Sequence, residues 1–378
     1  MRRLALPLLA ALVLVACGPA SSHSVLPRPA AARVHPGNHA SYLKAASAGV
    51  AHASAWWDPQ KHWYRQRLGG NKALATNWGI VHLFGAVDAL AIADPTPAHR
   101  AAVRTFAAGA ERYWNPDLRP VPGYGPSQDN RGVQHRTWYD DEGWWGIAFY
   151  DAFRATGDRR YLASADRSLA FLDSGWDPKA GGIYWDSRHT FKASESLAGA
   201  TLLAAYLYQE THAPKDLALA RKYIAWADRR LRGSDGLYSS RPRGRGVPMP
   251  YVEGPMATAF AVLCHSGLGP SYCTRAEQLA DRTARRFPKL TMGPQYDSMY
   301  IRSLLELYRL DGNRRWYDIA AAATDRAMAM AVEPSGLYMR TWDGRSISSI
   351  GTPTGKLQTH AATTSVIAWM AAAKPPPP

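Results

Sequence analysis

Cysteine is scarce in this chain, with three residues in 378. Cys17 stands near the start, while Cys264 and Cys273 flank a Gly-Leu-Gly-Pro turn. No CxxC pair and no His-Glu-x-x-His motif is present, so the sequence indicates neither a structural zinc site nor a zinc protease. Two cysteines bridging one turn are typical of an exported protein, and we predict a disulfide between Cys264 and Cys273.

Several other signals are missing. There is no Gly-x-Gly-x-x-Gly and no P-loop motif, so we predict no nucleotide, cofactor or metal. Acidic residues are outnumbered by basic ones, 30 against 45, and the formal charge is +15. This charge suggests an anionic neighbourhood such as an envelope polymer or lipid head groups. The chain shows no basic helix or helix-turn-helix pattern, so we do not expect a nucleic-acid partner.

The N-terminal segment has the features of an export signal. Residues 1–16 combine two early arginines with an apolar run that is too short to span a bilayer as a mature helix. The following LVAC at 14–17 resembles the bacterial lipoprotein box, so Cys17 is the predicted lipid attachment site. The alternative is a plain secretory signal. We expect residues 17–38 to form a flexible tether and the mature protein to be membrane-anchored at the cell surface.

Apolar residues recur with helical spacing through the rest of the chain, and β-type alternation is rare. We predict twelve helices, at 40–57, 76–93, 97–111, 139–155, 159–173, 192–211, 215–231, 251–267, 271–286, 295–310, 314–330 and 358–373. Short turns follow the even-numbered helices, whereas most odd-numbered helices are followed by long loops rich in Gly, Pro and aromatics. The chain is therefore expected to be all-α and built from six helical hairpins.

Similar segments within the chain indicate a repeated unit. Residues 153–161, FRATGDRRY, match the form of residues 308–316, YRLDGNRRW. Six hairpins with their long loops on one side form either an open solenoid or a closed ring. The even-numbered helices are apolar nearly all round, which suits an inner ring. We therefore predict a single-domain (α/α)6 barrel over residues 39–374, and we expect a monomer.

The sequence around Asp140 and Asp141 carries the clearest chemical signal. Paired carboxylates among aromatic rings are typical of a glycosidase active site, in which one group protonates the leaving oxygen and the other attacks the sugar. An isolated Asp-Asp pair can equally be a helix cap followed by a first-turn acid. At the junction of the loop and this helix, Asp140 can have non-helical dihedrals while Asp141 opens the helix, so that both can flank one sugar.

In such a barrel, first-turn polar residues and loop aromatics converge on one face, which is the expected binding site. Asn77, Glu253 and Asp297 could instead be helix caps, and Lys192 could pair with Glu195 or with the acids. Tyr251 is one further aromatic expected in the wall. The predicted substrate-binding residues are Asn77, Trp78, Trp138, Tyr139, Trp144, Trp145, Tyr184, Trp185, Asp186, Lys192, Glu253, Tyr296 and Asp297.

Three stretches resemble glycoside hydrolase family 76: YDDEGWWGIA at 139–148, ATGDRRYL at 155–162 and GWDPKAGGIYW at 175–185. Bacterial members of that family include endo-α-1,6-mannanases with an (α/α)6 barrel. The resemblance implies a retaining reaction in which Asp140 is the nucleophile and Asp141 the acid/base. The family's usual Lys-Asn-Ala opening of the third inner helix is replaced here by Lys192-Ala193-Ser194-Glu195.

The resulting hypothesis is an exported glycoside hydrolase that cleaves α-mannosidic linkages, with 1,6 linkages as the first choice, in an envelope or external polysaccharide. Because several positions outside the acidic pair depart from the family pattern, other functions stay open. These are a non-catalytic glycan-binding lipoprotein, a transglycosidase, and another (α/α)6 sugar-active enzyme such as a lyase or epimerase.

Overall fold

The computed structural model describes residues 37–70, 72–242 and 246–376, which belong to one compact unit. The predicted signal peptide, Cys17 and most of the predicted tether lie outside these ranges. The helices are α1 His39–His52, α2 Asn77–Ala93, α3 Pro97–Ala110, α4 Tyr139–Thr156, α5 Arg160–Ser174, α6 Ser194–Thr211, α7 Pro214–Arg230, α8 Pro250–Leu263, α9 Pro270–Arg286, α10 Pro294–Asp311, α11 Arg314–Met330 and α12 Leu357–Ala372.

The even-numbered helices form a closed inner ring. Each contacts the next even-numbered helix, and α12 contacts α2. The odd-numbered helices pack outside: α1 on α12, α3 on α2, α5 on α4, α7 on α6, α9 on α8 and α11 on α10. The predicted (α/α)6 barrel is therefore confirmed, because an open solenoid would leave α2 and α12 apart.

Burial explains why the two sets of helices separate. All 14 residues of α8 and 15 of the 16 residues of α12 are buried, which requires apolar or small side chains on every face. The outer helix α9 buries only four of its 17 residues, Ala276, Leu279, Ala280 and Thr283. Their i, i+3, i+4, i+7 spacing is the stripe of an amphipathic helix with one covered face.

Two glycines let α4 and α6 approach each other very closely near the start of both helices. A Cβ added at Gly143 would lie 3.3 Å from the Cα of Gly199. The contact is backbone against backbone, so a side chain at Gly143 would press on α6, whereas a Cβ at Gly199 would lie 3.5 Å from the Cα of Gly143, in ordinary contact. The N-terminal turns of the two helices, which carry Asp140 and Glu195, are consequently held side by side.

The long loops contain two short hairpins, β1 Trp57–Asp58 with β2 Trp63–Tyr64 and β3 Trp114–Asn115 with β4 Gly123–Tyr124. Helix boundaries agree with prediction to within a few residues at most positions. The first helix ends early, at His52, because a 3₁₀ turn at 53–56 leads into β1.

The eighth helix also ends earlier than predicted, at Leu263, and a wider turn at 264–268 follows it. Gly267 has a left-handed φ of +83° within this turn. Cys264 and Cys273 form a disulfide across the turn, with 5.2 Å between their Cα atoms. In the part of the chain that the structure describes, no helix is long and apolar enough to cross a membrane.

Candidate active site

A cavity of about 640 Å³ opens where the inner helices begin. Its walls come from the first turns of α2, α4, α6, α8 and α10 and from the loops that precede them. The lining residues are Thr76, Asn77, Trp78, Pro126, Trp138, Asp140, Asp141, Trp185, Phe191, Glu195, Arg241, Met249, Tyr251, Met292 and Tyr296. This is the face on which the sugar site was predicted, because every inner helix starts there.

Asp140 and Asp141 both lie in the first turn of α4. The helix begins at Tyr139, and Trp138 is its extended N-cap residue. The helix begins where it was predicted, but the suggested non-helical geometry of Asp140 is wrong, because the helix already includes Tyr139 and Asp140. Both carboxyl groups nevertheless reach the cavity, and both side chains are half-buried. The free N–H groups of a first turn favour an ionised carboxylate at this place.

The two acids have different affinities for a proton. Burial raises the pKa of Asp140 to about 7, with a further increase from the nearby Glu195, while the backbone N–H groups of Asp140 and Asp141 act in the opposite direction. Burial, together with the charge of Asp140, raises the pKa of Asp141 well above its usual range. Because two like charges this close repel each other, one of the two acids keeps its proton near neutral pH, and the backbone N–H groups beside Asp140 favour Asp140 as the carboxylate and Asp141 as the acid.

Glu195 contributes a third carboxyl group to the cavity, from the first turn of α6. Its pKa is raised, mainly by burial, and the hydroxyl of Ser194 donates to its Oε2 at 3.3 Å. Glu195 was expected among the first-turn polar groups of the binding face and as a possible partner of Lys192. The structure instead pairs Lys192 with Asp177 (Nζ–Oδ2 2.7 Å) and leaves Glu195 facing the acids of α4.

Aromatic side chains form two groups around the acids. The ring centroids of Trp78, Tyr251 and Tyr296 lie 5.5–6.0 Å apart, from three different inner helices. Such flat faces with polar edges suit sugar rings. The oxygen Oδ1 of Asn77, also in the lining, accepts the backbone N–H of Trp78 at 2.9 Å.

Trp138 and Trp185 make the second aromatic group, and a cation holds them in place. The guanidinium of Arg136 lies 5.1 Å from the Trp138 centroid and 5.4 Å from that of Trp185. Asp186 is fully buried and accepts from Arg136 (Nε–Oδ2 2.9 Å). The structure thus places Asp186 behind the two rings, outside the cavity lining, because its charge is used to hold Arg136.

Three other predicted residues of α4 and its N-terminal turn also lie outside the lining. Tyr139 is buried against Phe171, with ring centroids 5.2 Å apart, since it points toward the outer helix α5. Trp145 is fully buried in the core. Trp144 donates its indole N–H to the hydroxyl of Tyr251 and supports that lining residue from behind. These positions belong to the packing that carries the site.

Tyr184 and Lys192 form a separate cluster with Asp177. The Tyr184 hydroxyl donates to Oδ2 of Asp177 at 3.2 Å, and Lys192 lies over the Tyr184 ring. The bond from Lys192 holds the pKa of Asp177 well below its usual range. The cluster closes the loop before α6, and neither Tyr184 nor Lys192 lines the cavity.

Glu253 and Asp297 are buried and turned away from the cavity. Oε1 of Glu253 accepts the backbone N–H of Tyr238 at 2.8 Å, and Oδ2 of Asp297 accepts that of Gly293 at 3.1 Å. Burial raises the pKa of Asp297 to about 7 and that of Glu253 well above its usual range. The capping alternative describes Asp297, which accepts from the N-cap residue of α10, but not Glu253, whose partner Tyr238 lies in the loop between α7 and α8.

Six lining residues were not predicted: Thr76, Pro126, Phe191, Arg241, Met249 and Met292. Four of them stand within three positions before an inner helix, so the residue just upstream of each first turn was the usable signal. Pro126 and Arg241 come from long loops, whose path over the cavity no local pattern specifies. Among the described residues, no group of three or more His, Cys, Asp or Glu side chains is arranged to hold a metal ion.

Comparison with known proteins shows which family shares this arrangement. The family model of glycosyl hydrolase family 76 matches residues 124–293, a range that contains Asp140, Asp141, Glu195 and Tyr251. A search of curated protein sequences finds no significant match.

Solved structures of similar fold include a family 76 α-mannanase of Bacteroides thetaiotaomicron, with a TM-score of 0.77 at 20% identity, covering 88% of this chain and 95% of that one. An inactive variant of a Salegentibacter α-1,6-mannanase with two adjacent aspartates changed to asparagine, bound to α-1,6-mannotriose, has a TM-score of 0.70 at 17% identity and covers 88% and 100%. Dfg5 of Chaetomium thermophilum, in complex with glucosamine, has a TM-score of 0.72 at 14% identity and covers 91% and 94%. This chain therefore matches the family model of glycosyl hydrolase family 76 over residues 124–293 and shares the barrel fold of solved family 76 structures.

Proposed function

We propose that this protein is a retaining glycosidase that cleaves α-mannosidic linkages, with α-1,6 linkages preferred, in an envelope or external polysaccharide. The observation that carries the proposal is the pair Asp140 and Asp141 on one cavity wall, where burial and the repulsion between them raise the pKa of both carboxyl groups. The Salegentibacter α-1,6-mannanase, of the same fold, is inactive when two adjacent aspartates are changed and holds α-1,6-mannotriose in that form.

The chemistry proceeds in two displacements. The ionised Asp140 attacks the anomeric carbon while the glycosidic C–O bond breaks, and Asp141 transfers its proton to the leaving oxygen. The product is a glycosyl ester on Asp140. Asp141, now a carboxylate, takes a proton from water, the water oxygen attacks the anomeric carbon, and the carboxylate of Asp140 leaves.

The surrounding residues support these steps. The N-terminal dipole of α4 stabilises the carboxylate of Asp140 as it is released. Trp78, Tyr251 and Tyr296 offer faces on which sugar rings can stack beside the acids. Partial exclusion of water by these rings strengthens the electrostatic contacts of the charged transition state.

Loss of either aspartate should abolish the reaction. We expect Asp140→Asn and Asp141→Asn each to lower kcat on linear α-1,6-mannan by a factor of about 10³ or more, because each removes one of the two displacement groups. The measurement is reducing-end release by the domain that begins at Val34. Asp177→Asn is the matched control, since Asp177 lies outside the cavity lining, and it should retain cleavage. Binding of mannan by the parent without release of reducing ends would favour a glycan-binding protein instead.

We also propose that the mature protein is exported and anchored through a lipid on Cys17, as a monomer. The supporting observation is the LVAC sequence at 14–17 after a short apolar run. In a bacterial host fed with labelled palmitate, the full chain should incorporate label and Cys17→Ser should not. Labelling of Cys17→Ser to the same extent, or an unlabelled parent that is secreted freely, would contradict the anchor.

A further inference from the structure

A second cavity, of about 510 Å³, lies at the other end of the barrel, where the inner helices finish. It is lined by the C-terminal turns of α2, α4, α10 and α12. Its charged lining residues are Arg154, Glu306, Arg309 and Lys374, and Trp369 supplies an aromatic wall. None of these residues takes part in the proposed hydrolysis, so the cavity needs an explanation of its own.

Positive charge exceeds negative charge in this lining. Glu306 is the one acid among the lining residues named for the cavity, and two arginines share it. Arg309 binds it through two bonds (Nη2–Oε1 2.7 Å and Nε–Oε2 3.0 Å), and Arg154 binds Oε2 at 3.2 Å. Three cations therefore face one carboxylate, which leaves an excess of two positive charges.

The residues beneath the cavity do not remove this excess. Arg302 and Asp151 form a buried two-point pair, with bonds of 2.6 and 2.7 Å from Nη2. Asp151 Oδ1 also lies 3.7 Å from Nη1 of Arg154, but its single charge is matched by that of Arg302. Asp88 is fully buried, and neither of its oxygens has a hydrogen-bond partner among the described residues. Burial raises the pKa of Asp88 well above its usual range, so it adds no negative charge.

Several cationic donors at the cavity are unused. Nε and Nη2 of Arg154, Nη1 of Arg309 and the ammonium of Lys374 have no acceptor among the described residues. The side chain of Arg154 is only 18% exposed, so it cannot be fully solvated in place of an ion pair. Convergent guanidinium donors with an excess of charge are the usual recognition elements for phosphate.

We propose that this second cavity binds a phosphate group, held by Arg154, Arg309 and Lys374. Trp369 shapes the site because the guanidinium groups of Arg302 and Arg154 lie 4.9 and 5.9 Å from its ring centroid. The volume leaves room for more than the phosphate itself, so a phosphate ester with a small organic group also fits. The proposal is independent of the hydrolytic activity.

The position of the cavity suggests where the phosphate comes from. Helix α1 runs antiparallel to α12, since Trp56 donates to the carbonyl of Gly355 (2.9 Å) and Gly49 contacts His360 one turn further along α12 (2.8 Å). The start of α1 therefore lies on the side where α12 ends. A lipid on Cys17, as proposed above, would bring the protein to a membrane surface. The two sources are then free phosphate compounds and the phosphate of lipid head groups.

The test measures the binding of inorganic phosphate to the unlipidated domain that begins at Val34. Binding is followed by titration calorimetry at low ionic strength. We expect one site, weakened at least tenfold by Arg154→Gln and about threefold by Lys374→Gln. Lys374 is exposed, so its variant keeps the fold even if Arg154→Gln does not. Arg229→Gln removes the same charge from an exposed position at the end of α7 and should bind like the parent.

Sedimentation with vesicles of phosphatidylglycerol or phosphatidylcholine separates the two sources. If Arg154→Gln and Lys374→Gln both weaken binding to phosphatidylglycerol vesicles and Arg229→Gln does not, the proposal is supported with lipid as the source of the phosphate. Phosphate binding with no variant-sensitive vesicle binding supports it with a free phosphate compound as the source. The proposal would be overturned if the parent did not bind phosphate, or if the parent, Lys374→Gln and Arg229→Gln bound it equally well. The cations would then act only as partners of the helix C-termini.

Discussion

At the scale of single residues, the active site depends on how three carboxyl groups share protons. Asp140 receives its raised pKa first from burial and second from Glu195. Other titratable or charged groups facing the cavity are Asp141 on the same helix, Tyr251 on α8, Tyr296 on α10 and the loop residue Arg241. Glu195 is the acid in the cavity that comes from a helix other than α4, so its contribution can be removed separately.

Replacing Glu195 should change the pH dependence of the reaction. In Glu195→Gln the negative charge beside Asp140 is lost, so the pKa of Asp140 falls and this group stays ionised to lower pH. The acidic limb of the kcat/KM profile on α-1,6-mannan should move to lower pH. A shift of one pH unit, the scale of one nearby charge, would raise activity on that limb by about tenfold.

Two controls make this result specific. Glu277→Gln makes the same chemical change on the exposed surface of α9 and should leave the profile in place. Glu195→Asp keeps the charge and should restore most of the parent's acidic limb. An acidic limb that does not move in Glu195→Gln would show that burial alone sets the protonation of Asp140.

At the scale of helices, the close contact of α4 and α6 positions the acids. Gly143→Ala would place a methyl group 3.3 Å from the backbone of Gly199, and backbone cannot rotate away. We expect a loss of about 1–2 kcal/mol in the free energy of unfolding and a lower kcat, because the two helix starts move apart. Thermal unfolding and reducing-end release are the measurements.

A second inner-helix glycine serves as the control. A Cβ at Gly85 of α2 would meet Ser365 at 3.5 Å, which is an ordinary contact. Gly85→Ala should therefore unfold at the same temperature as the parent or slightly higher, since alanine favours the helix. If Gly143→Ala behaved in the same way, the glycine contact would have no role in placing Asp140 and Glu195.

The helices also show what sequence patterns could predict. Helical spacing and the alternation of short and long connections were sufficient for the order of elements, the inner ring and the face that carries the cavity. They were insufficient to predict the direction of side chains such as Trp144, Asp186 and Lys192. Such a residue stands beside the site in sequence but points to a partner, Tyr251, Arg136 or Asp177, that only tertiary packing brings near.

At the scale of the whole molecule, closure of the ring governs stability. When a repeat is removed from an open solenoid, its free energy of unfolding falls by roughly the contribution of that repeat and its interface. Here α12 lies between α2 and α10 and has 15 of its 16 residues buried. A chain that ends before Leu357 would expose apolar faces of both neighbours. We expect this truncated domain to lack a cooperative thermal transition by circular dichroism, whereas a truncation after Lys374 should unfold like the parent. A cooperative transition in the shorter chain would mean that five hairpins suffice.

The contact between α1 and α12 has one more consequence. Because the first hairpin packs against the last, the two ends of the domain are neighbours, and the ring itself has no first or last member. A circular permutant that joins these ends and opens a short turn, such as Gly157-Asp158, would keep every helix–helix contact. Evolution could therefore reorder the hairpins along the gene without rebuilding the cavity that they surround.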